Sequence, residues 1–338
     1  MWKVTNEENK KVLKIFHKKL IIPFFDELIC YKNLFDTKTV TSYSGIYDYY
    51  NSKFLKQDKS KILFRKVIGN KINGKRLAEN IDNLISTKSM RYIKTQFKYY
   101  LIQYNQLNHL NFSIVERKVD DDLKEIFSKY FYEKFFVSET IWNLLIGNTY
   151  DRKIFHSKFK KENDLNVCPY CDTDTITNNG NKEIEHFLPR SKYPFLSMHP
   201  YNLISSCHSC NKSEGKSANY FTPIISPFNK QIGDNIDFSI DNFNKKVDLV
   251  YNLTDKELDN YIKLLKLKDK YNNQEIYDLV NKKGKRYYSY YYKGYSNTNF
   301  DSNLFLSYLD FNREETLYFS TKSIFNDLNR YDEYLRIK

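Results

Sequence analysis

The chain has no run of apolar residues approaching the roughly 20 that a bilayer span requires. Its longest early apolar stretch, Leu20 to Phe25, is too short for a signal-peptide core and has no small-residue cleavage site behind it. Cysteine is scarce, five in 338 residues, which excludes the small disulfide-stapled scaffolds of secreted proteins. These absences predict a cytoplasmic protein with no membrane partner. No Walker-type Gly-rich loop occurs either, so the chain is not expected to hydrolyse ATP. Internal repeats and long low-complexity linkers are missing too.

What is abundant is positive charge. Lys and Arg number 54 against 41 Asp and Glu, a formal net charge of +13. A polyanion is one partner that fits this balance, since basic residues release counterions from nucleic acid. A solvated surface on a chain from an A/T-rich genome fits it as well.

The length allows two or three subdomains. Residues 1–150 read as a helical domain. Thr5 and Glu8 have capping-box spacing, and Val12, Leu13, Phe16 and Leu20 follow with helical period. Another helix is expected near Leu123 to Tyr132, with Ile126, Phe127 and Tyr130 on one face. Between Ile81 and Tyr100, basic residues interleave with Tyr92, Phe97, Tyr99 and Tyr100. These aromatics read as core with solvated lysines around them, the alternative being a face that stacks bases. A break falls near Gly147, and residues 151–230 form a module of different composition. Residues 231–338 then hold an expected hairpin (Ile236–Ile240 with Val247–Tyr251), a helix capped at Thr254, and a basic, tyrosine-rich patch at Lys282 to Tyr295.

The central module carries the chemistry. It reads Cys168-Pro-Tyr-Cys171, then Glu185-His186-Phe-Leu-Pro189, then Asn202-Leu203, then Cys207-His-Ser-Cys210-Asn211. Alone, Cys-Pro-Tyr-Cys is also a redox motif, which needs a helix start behind it. Here residues 172–180 are β-branched and turn-forming, and a second Cys-x-x-Cys pair follows. Two such pairs suit one closed tetrahedral zinc site with no position open for substrate. Asn179-Gly180 signals a tight turn between a strand at about 173–177 and one at about 182–186. A further strand at 202–205 and a helix from His208 through Lys216 complete a ββα unit. Cys30, in an apolar stretch, reads as an inert core thiol. His208 reads as a surface residue, and His17, His109, His156 and His199 receive no role.

This module resembles the HNH family, the zinc-knuckle form of the ββα-metal nucleases, over about 165–220. The fold class implied is α+β: a mostly helical chain with a central zinc-stapled nuclease module and a small hairpin after it. The resemblance implies catalytic His186, Glu185, Asn202 and Asn211, with His186 as general base and Asn202 holding the loop that carries it. Glu185 and Asn211 would ligate one Mg²⁺ or Mn²⁺, while Cys168, Cys171, Cys207 and Cys210 hold Zn²⁺. Asn211 stands where His is commoner, which makes this an H-N-N variant. Arg190, Lys212 and Lys216 are candidate phosphate contacts. The implied activity is endonucleolytic hydrolysis of DNA. The run Glu185 to Pro194 is similar to HNH proteins of bacterial anti-phage defence, including Septu-type effectors, which implies an ATPase or sensor partner. Two other readings stay open: an RNase acting on tRNA or other folded RNA, and a zinc-ribbon module that binds nucleic acid without cutting it.

Overall fold

The structure is a computed structural model that describes residues 1–177, 182–211, 220–283 and 315–326. The chain is mostly helical, and its described strands form three two-stranded sheets, an α+β composition. The expected turn at Asn179-Gly180, the side chains of Lys212 and Lys216, and nearly all of the basic patch 282–295 lie outside the described residues.

Two units divide the chain. One comprises Asn6–Glu162 and His186–Ile204 and is the helical unit. Its elements are α1 (Glu7–Phe16), α2 (Ile22–Asp36), α3 (Ile46–Asn51), α4 (Lys53–Gln57), α5 (Ile62–Gly69), a ribbon of β1 (Lys71–Ile72) and β2 (Lys75–Arg76), then α6 (Leu77–Thr87), α7 (Met90–Asn108), α8 (Asp121–Glu125), α9 (Glu139–Ile146) and α10 (Arg152–Asn163). The expected capping box at Thr5 does not form. The first turn of α1 is instead closed by Glu162, whose carboxylate accepts from the N–H groups of Glu7 (2.8 Å) and Glu8 (3.1 Å). That places negative charge on the unsatisfied donors of a helix start. Gly147 ends α9 at φ 69°, a left-handed cap that favours glycine.

Aromatic residues, 17% of the chain, fill the core of this unit. Phe25 is fully buried among Phe24, Phe97, Tyr100, Phe127 and Phe195, and it stacks on Phe97 with centroids 4.7 Å apart. Truncating such a ring to Ala costs about 3–5 kcal/mol. So Tyr100 is core, whereas Tyr92, Phe97 and Tyr99 are half-buried, and Lys88 is paired with Asp120 at 2.7 Å. Regular helix gives way after α8. There the chain widens into a π-helical segment, Ile126–Lys134, where the sequence spacing predicts an ordinary helix. Such segments shift side chains off the usual stripe and recur at functional positions.

The other unit comprises Met1–Thr5, Asn163–Glu185 and the chain from Ser205 onward. The strands β3 (Lys182–His186) and β4 (Leu203–Cys207) pair with each other, and α11 (His208–Asn211) follows β4 directly. The hairpin of β5 (Asp237–Asp241) and β6 (Lys246–Val250) is antiparallel, with Phe238 opposite Leu249 and Ile240 opposite Val247. It is followed by α12 (Lys256–Leu264), α13 (Leu267–Tyr271) and α14 (Tyr318–Asn326). The cap of α12 is Asp255, accepting from Leu258 N–H at 3.1 Å, one residue beyond the expected Thr254. Two further expectations are corrected. Residues 173–177 do not form a strand against 182–186: Thr175 bridges back to Val167, because the Cys168–Cys171 turn folds the chain onto itself. Cys30 is exposed rather than a core thiol, since it faces away from the buried side of α2, which Phe24, Phe25 and Leu28 occupy.

Candidate functional site

The four paired cysteines converge. Their sulfurs all lie within 4.8 Å of one another and are buried. The first pair sits on a reverse turn: Cys168 O accepts from Asp172 N–H (3.0 Å), and Cys168 N–H donates to Asp174 O (2.8 Å). The second pair spans the end of β4 and α11. All four are free thiols. A tetrahedron of sulfurs about 2.3 Å from a zinc ion has edges of about 3.8 Å, and Cys171 and Cys207 stand 3.8 Å apart. This group could hold a structural metal such as zinc.

Each sulfur also has a hydrogen-bond partner. Cys168 Sγ accepts from Cys207 N–H (3.3 Å), Cys171 Sγ from Thr173 Oγ1 (3.1 Å), and Cys210 Sγ from the ammonium of Lys270 (2.8 Å). Cys207 Sγ lies 3.2 Å from Ser209 Oγ. Burial pushes the Cys168 and Cys210 thiols up. Burial also works against the charge of Lys270, but Cys210 and Cys171 outweigh it and hold the amine above its ordinary value. Around the knuckle, Asp172 is a buried hub at φ 62°. Its carboxylate accepts from Trp2 Nε1–H (2.9 Å) and Phe319 N–H (3.0 Å), and burial pushes its carboxyl up to about 6. Tyr261 and Tyr271 donate to the carbonyls of Tyr170 (3.0 Å) and Cys171 (2.8 Å). Sequence reasoning missed Lys270 and Asp172. For Asp172 a signal existed: a short polar residue just after a Cys-x-x-Cys turn suits a left-handed backbone. Nothing near Lys270 marks it.

In the helical unit, the segment 186–204 presents His186. Its Nε2 lies 3.0 Å from the carbonyl of Ser197. A carbonyl only accepts, so Nε2 carries a proton. The ring packs edge-on against Tyr132 with centroids 4.3 Å apart. The π segment supports this arrangement three times over. Tyr132 meets the imidazole, Phe127 O accepts from Ser197 Oγ (2.8 Å), and Ser128 O accepts from Arg190 (3.1 Å). Asn202 is fully buried and ties the loop together. Its Oδ1 accepts from Leu188 N–H (2.6 Å), and its Nδ2 donates to Leu188 O (3.2 Å) and Leu196 O (3.1 Å). Its backbone carbonyl accepts from Phe187 N–H at 2.9 Å.

Glu185 and His186 are each 6% exposed. Neighbouring residues of a strand point to opposite faces, so both faces of β3 are covered here. A buried carboxylate is costly unless paired. Asn211 ends α11 and is half-buried. Arg190 is engaged within the helical unit, ion-paired to Glu133 at 2.8 Å and lying over the Tyr132 ring at 4.9 Å. His208 is on the surface, 3.3 Å from Glu183. His199 and His17 both pack on Tyr104, at 4.6 and 3.7 Å between centroids, partners that the sequence did not reveal. Among the described residues, no helix is long and apolar enough to cross a membrane.

No family model matches the chain, and no solved structure does. The chain is 39% identical over 62 residues to Septu protein PtuB of Bacillus thuringiensis, a stretch covering 18% of this chain and 24% of that protein. It is 45% identical over 47 residues to Protein ea31 of Escherichia phage lambda, 14% of each chain. The match thus spans about a quarter of the first relative and about a seventh of the second.

Proposed function

We propose that this protein is a metal-dependent HNH endonuclease that hydrolyses phosphodiester bonds of DNA and serves bacterial defence beside an ATPase or sensor partner. The observation that carries the chemistry is the orientation of His186. Its Nε2–H is held by Ser197 O, on a loop fastened by Asn202, directly after Glu185 in the strand. The partial similarity to a Septu protein supports the defence setting.

In this reading the four cysteines hold a structural zinc ion, whose binding contributes on the order of 10–16 kcal/mol to folding in small zinc domains. The carboxylate of Glu185 and the amide oxygen of Asn211, both hard donors, would hold Mg²⁺ or Mn²⁺. Such an ion supplies Lewis-acid polarisation of the phosphoryl group and offsets charge on the leaving 3′ oxygen. His186 takes a proton from water at Nδ1 as the water oxygen bonds to phosphorus and the bond to the 3′ oxygen breaks. The ring then becomes an imidazolium, and its Nε2–H bond to Ser197 O strengthens because the donor is charged.

The test incubates the purified protein with plasmid DNA and with total tRNA, in Mg²⁺, in Mn²⁺ and in EDTA. Plasmid nicking that EDTA abolishes, and that His186→Ala loses at a temperature where it is still folded, is expected. Cutting confined to tRNA would move the substrate to RNA. Binding without cleavage in every metal condition would leave only a zinc-ribbon binding module.

A further inference from the structure

A concave surface of about 590 Å³ lies within the helical unit, far along the chain from the cysteine module, and none of its lining residues is acidic. Helical period builds it. Ile62, Arg65, Lys66 and Gly69 recur at i, i+3, i+4 and i+7 along α5, so they share one face. Tyr47 and Asn51, four apart on α3, face them. Lys56 from α4 and Lys71 from β1 complete the rim. Gly69 packs closely on Tyr47: a Cβ there would meet its ring at 3.2 Å. On the same ring lies the guanidinium of Arg76, 4.5 Å from the centroid.

Four cations therefore rim one hollow. No carboxylate stands within ion-pair distance of Lys56, Arg65, Lys66 or Lys71 among the described residues, whereas neighbours such as Lys61 and Lys75 are paired with Glu27 and Glu125. Asp58, whose charge interacts with that of Arg65, is already held by the Ser60 hydroxyl at 2.6 Å and its N–H at 2.9 Å. Clustered like charges repel, and a concave wall focuses their field outward. A ligand with several closely spaced negative charges relieves that repulsion, and a planar guanidinium beside three ammonium groups suits phosphate oxygens.

We infer that this hollow is a binding groove for consecutive phosphate groups, and that the sugar-phosphate backbone of nucleic acid supplies them. The choice of nucleic acid rests on the nuclease reading; the phosphate chemistry does not. The groove would hold a length of strand and add affinity without sequence preference.

The experiment measures binding of a fluorescent 12-nucleotide DNA by anisotropy, in EDTA, across a salt series. The variant Arg65→Gln/Lys66→Gln/Lys71→Gln is compared with Arg91→Gln/Lys94→Gln/Lys98→Gln, which removes equal charge from α7. The groove triple should weaken binding by at least about tenfold and flatten the salt dependence by about two charges, whereas the α7 triple should do neither. Equal losses in both triples, or none in either, would overturn the groove. A second measurement needs no variant. Acetylation of Lys56, Lys66 and Lys71 in the unsubstituted protein should be suppressed by the oligonucleotide. Suppression by the oligonucleotide alone assigns the groove to strand backbone, and suppression by inorganic triphosphate as well assigns it to any close run of phosphates. Unprotected lysines under both would rule it out. Because these readouts need no cleavage, they fail or succeed separately from the loss of nicking in His186→Ala.

Discussion

Replacing Asn202 is the sharpest probe of how this fold presents its imidazole. Its side chain makes three hydrogen bonds in a fully buried position: one accepted from Leu188 N–H and two donated to the carbonyls of Leu188 and Leu196. Asn202→Ala leaves the Leu188 donor buried without this acceptor, at about 1–3 kcal/mol, and each carbonyl loses a bond worth about 0.5–1.5 kcal/mol. A loss of about 2–6 kcal/mol follows, or a drop of roughly 4–24 °C in melting temperature for a unit of this size. Asn202→Asp is more discriminating because it conserves shape. One oxygen still accepts from Leu188 N–H, but the other turns a carboxylate toward two carbonyls, of which Leu196 O keeps the His199 N–H (3.1 Å) as donor. Asp should therefore be no better than Ala, in spite of being isosteric. Calorimetry gives the stabilities, and hydrogen exchange at the Leu188 amide reads the local bond. The loop also carries Ser197, whose carbonyl orients His186, so nicking should fall in both variants at temperatures where they remain folded. If Asn202→Asp melts within a degree or two of the parent and retains full nicking, the side chain is not the fastener described here.

Cys168→Ser or Cys210→Ser should release the metal and melt the cysteine unit; a folded parent protein carrying no zinc by elemental analysis would contradict this. Lys270→Met removes the only ammonium that reaches a cysteine sulfur among the described residues, so a chelator should extract zinc faster from it than from the parent or from Lys270→Arg, and equal extraction rates would dismiss that role. His199 gives a pH signature. Burial lowers its folded-state pKa to about 3 from an ordinary 6.5. The unfolded chain therefore takes up a proton below about pH 6.5 while the folded chain does not, and stability present above pH 6.5 declines toward pH 3 at up to about 1.4 kcal/mol per unit. His199→Gln should show a shallower decline between pH 6.5 and 4 in denaturant titrations, and an unchanged slope would show that this imidazole is not the cause.

The amino-acid order alone determined what depends on near neighbours. The spacing of Cys168 to Cys171 and Cys207 to Cys210 announced a four-sulfur group, because a Cys-x-x-Cys turn presents two thiols wherever the fold places it. The alternation of Phe238, Ile240, Val247 and Leu249 announced the β5–β6 hairpin, since one face must be apolar. Helical period in residues 1–150 was legible for the same reason, although Glu162 rather than Thr5 closes the start of α1. Tertiary structure decided what depends on residues far apart in the chain. Lys270 meets Cys210 sixty positions away. The π segment sets Tyr132 against His186, Asn202 fastens the loop, and Ser197 O settles which imidazole nitrogen bears the proton. Local spacing does not encode such contacts: their energy comes from burial and from hydrogen bonds made only once the chain has closed on itself.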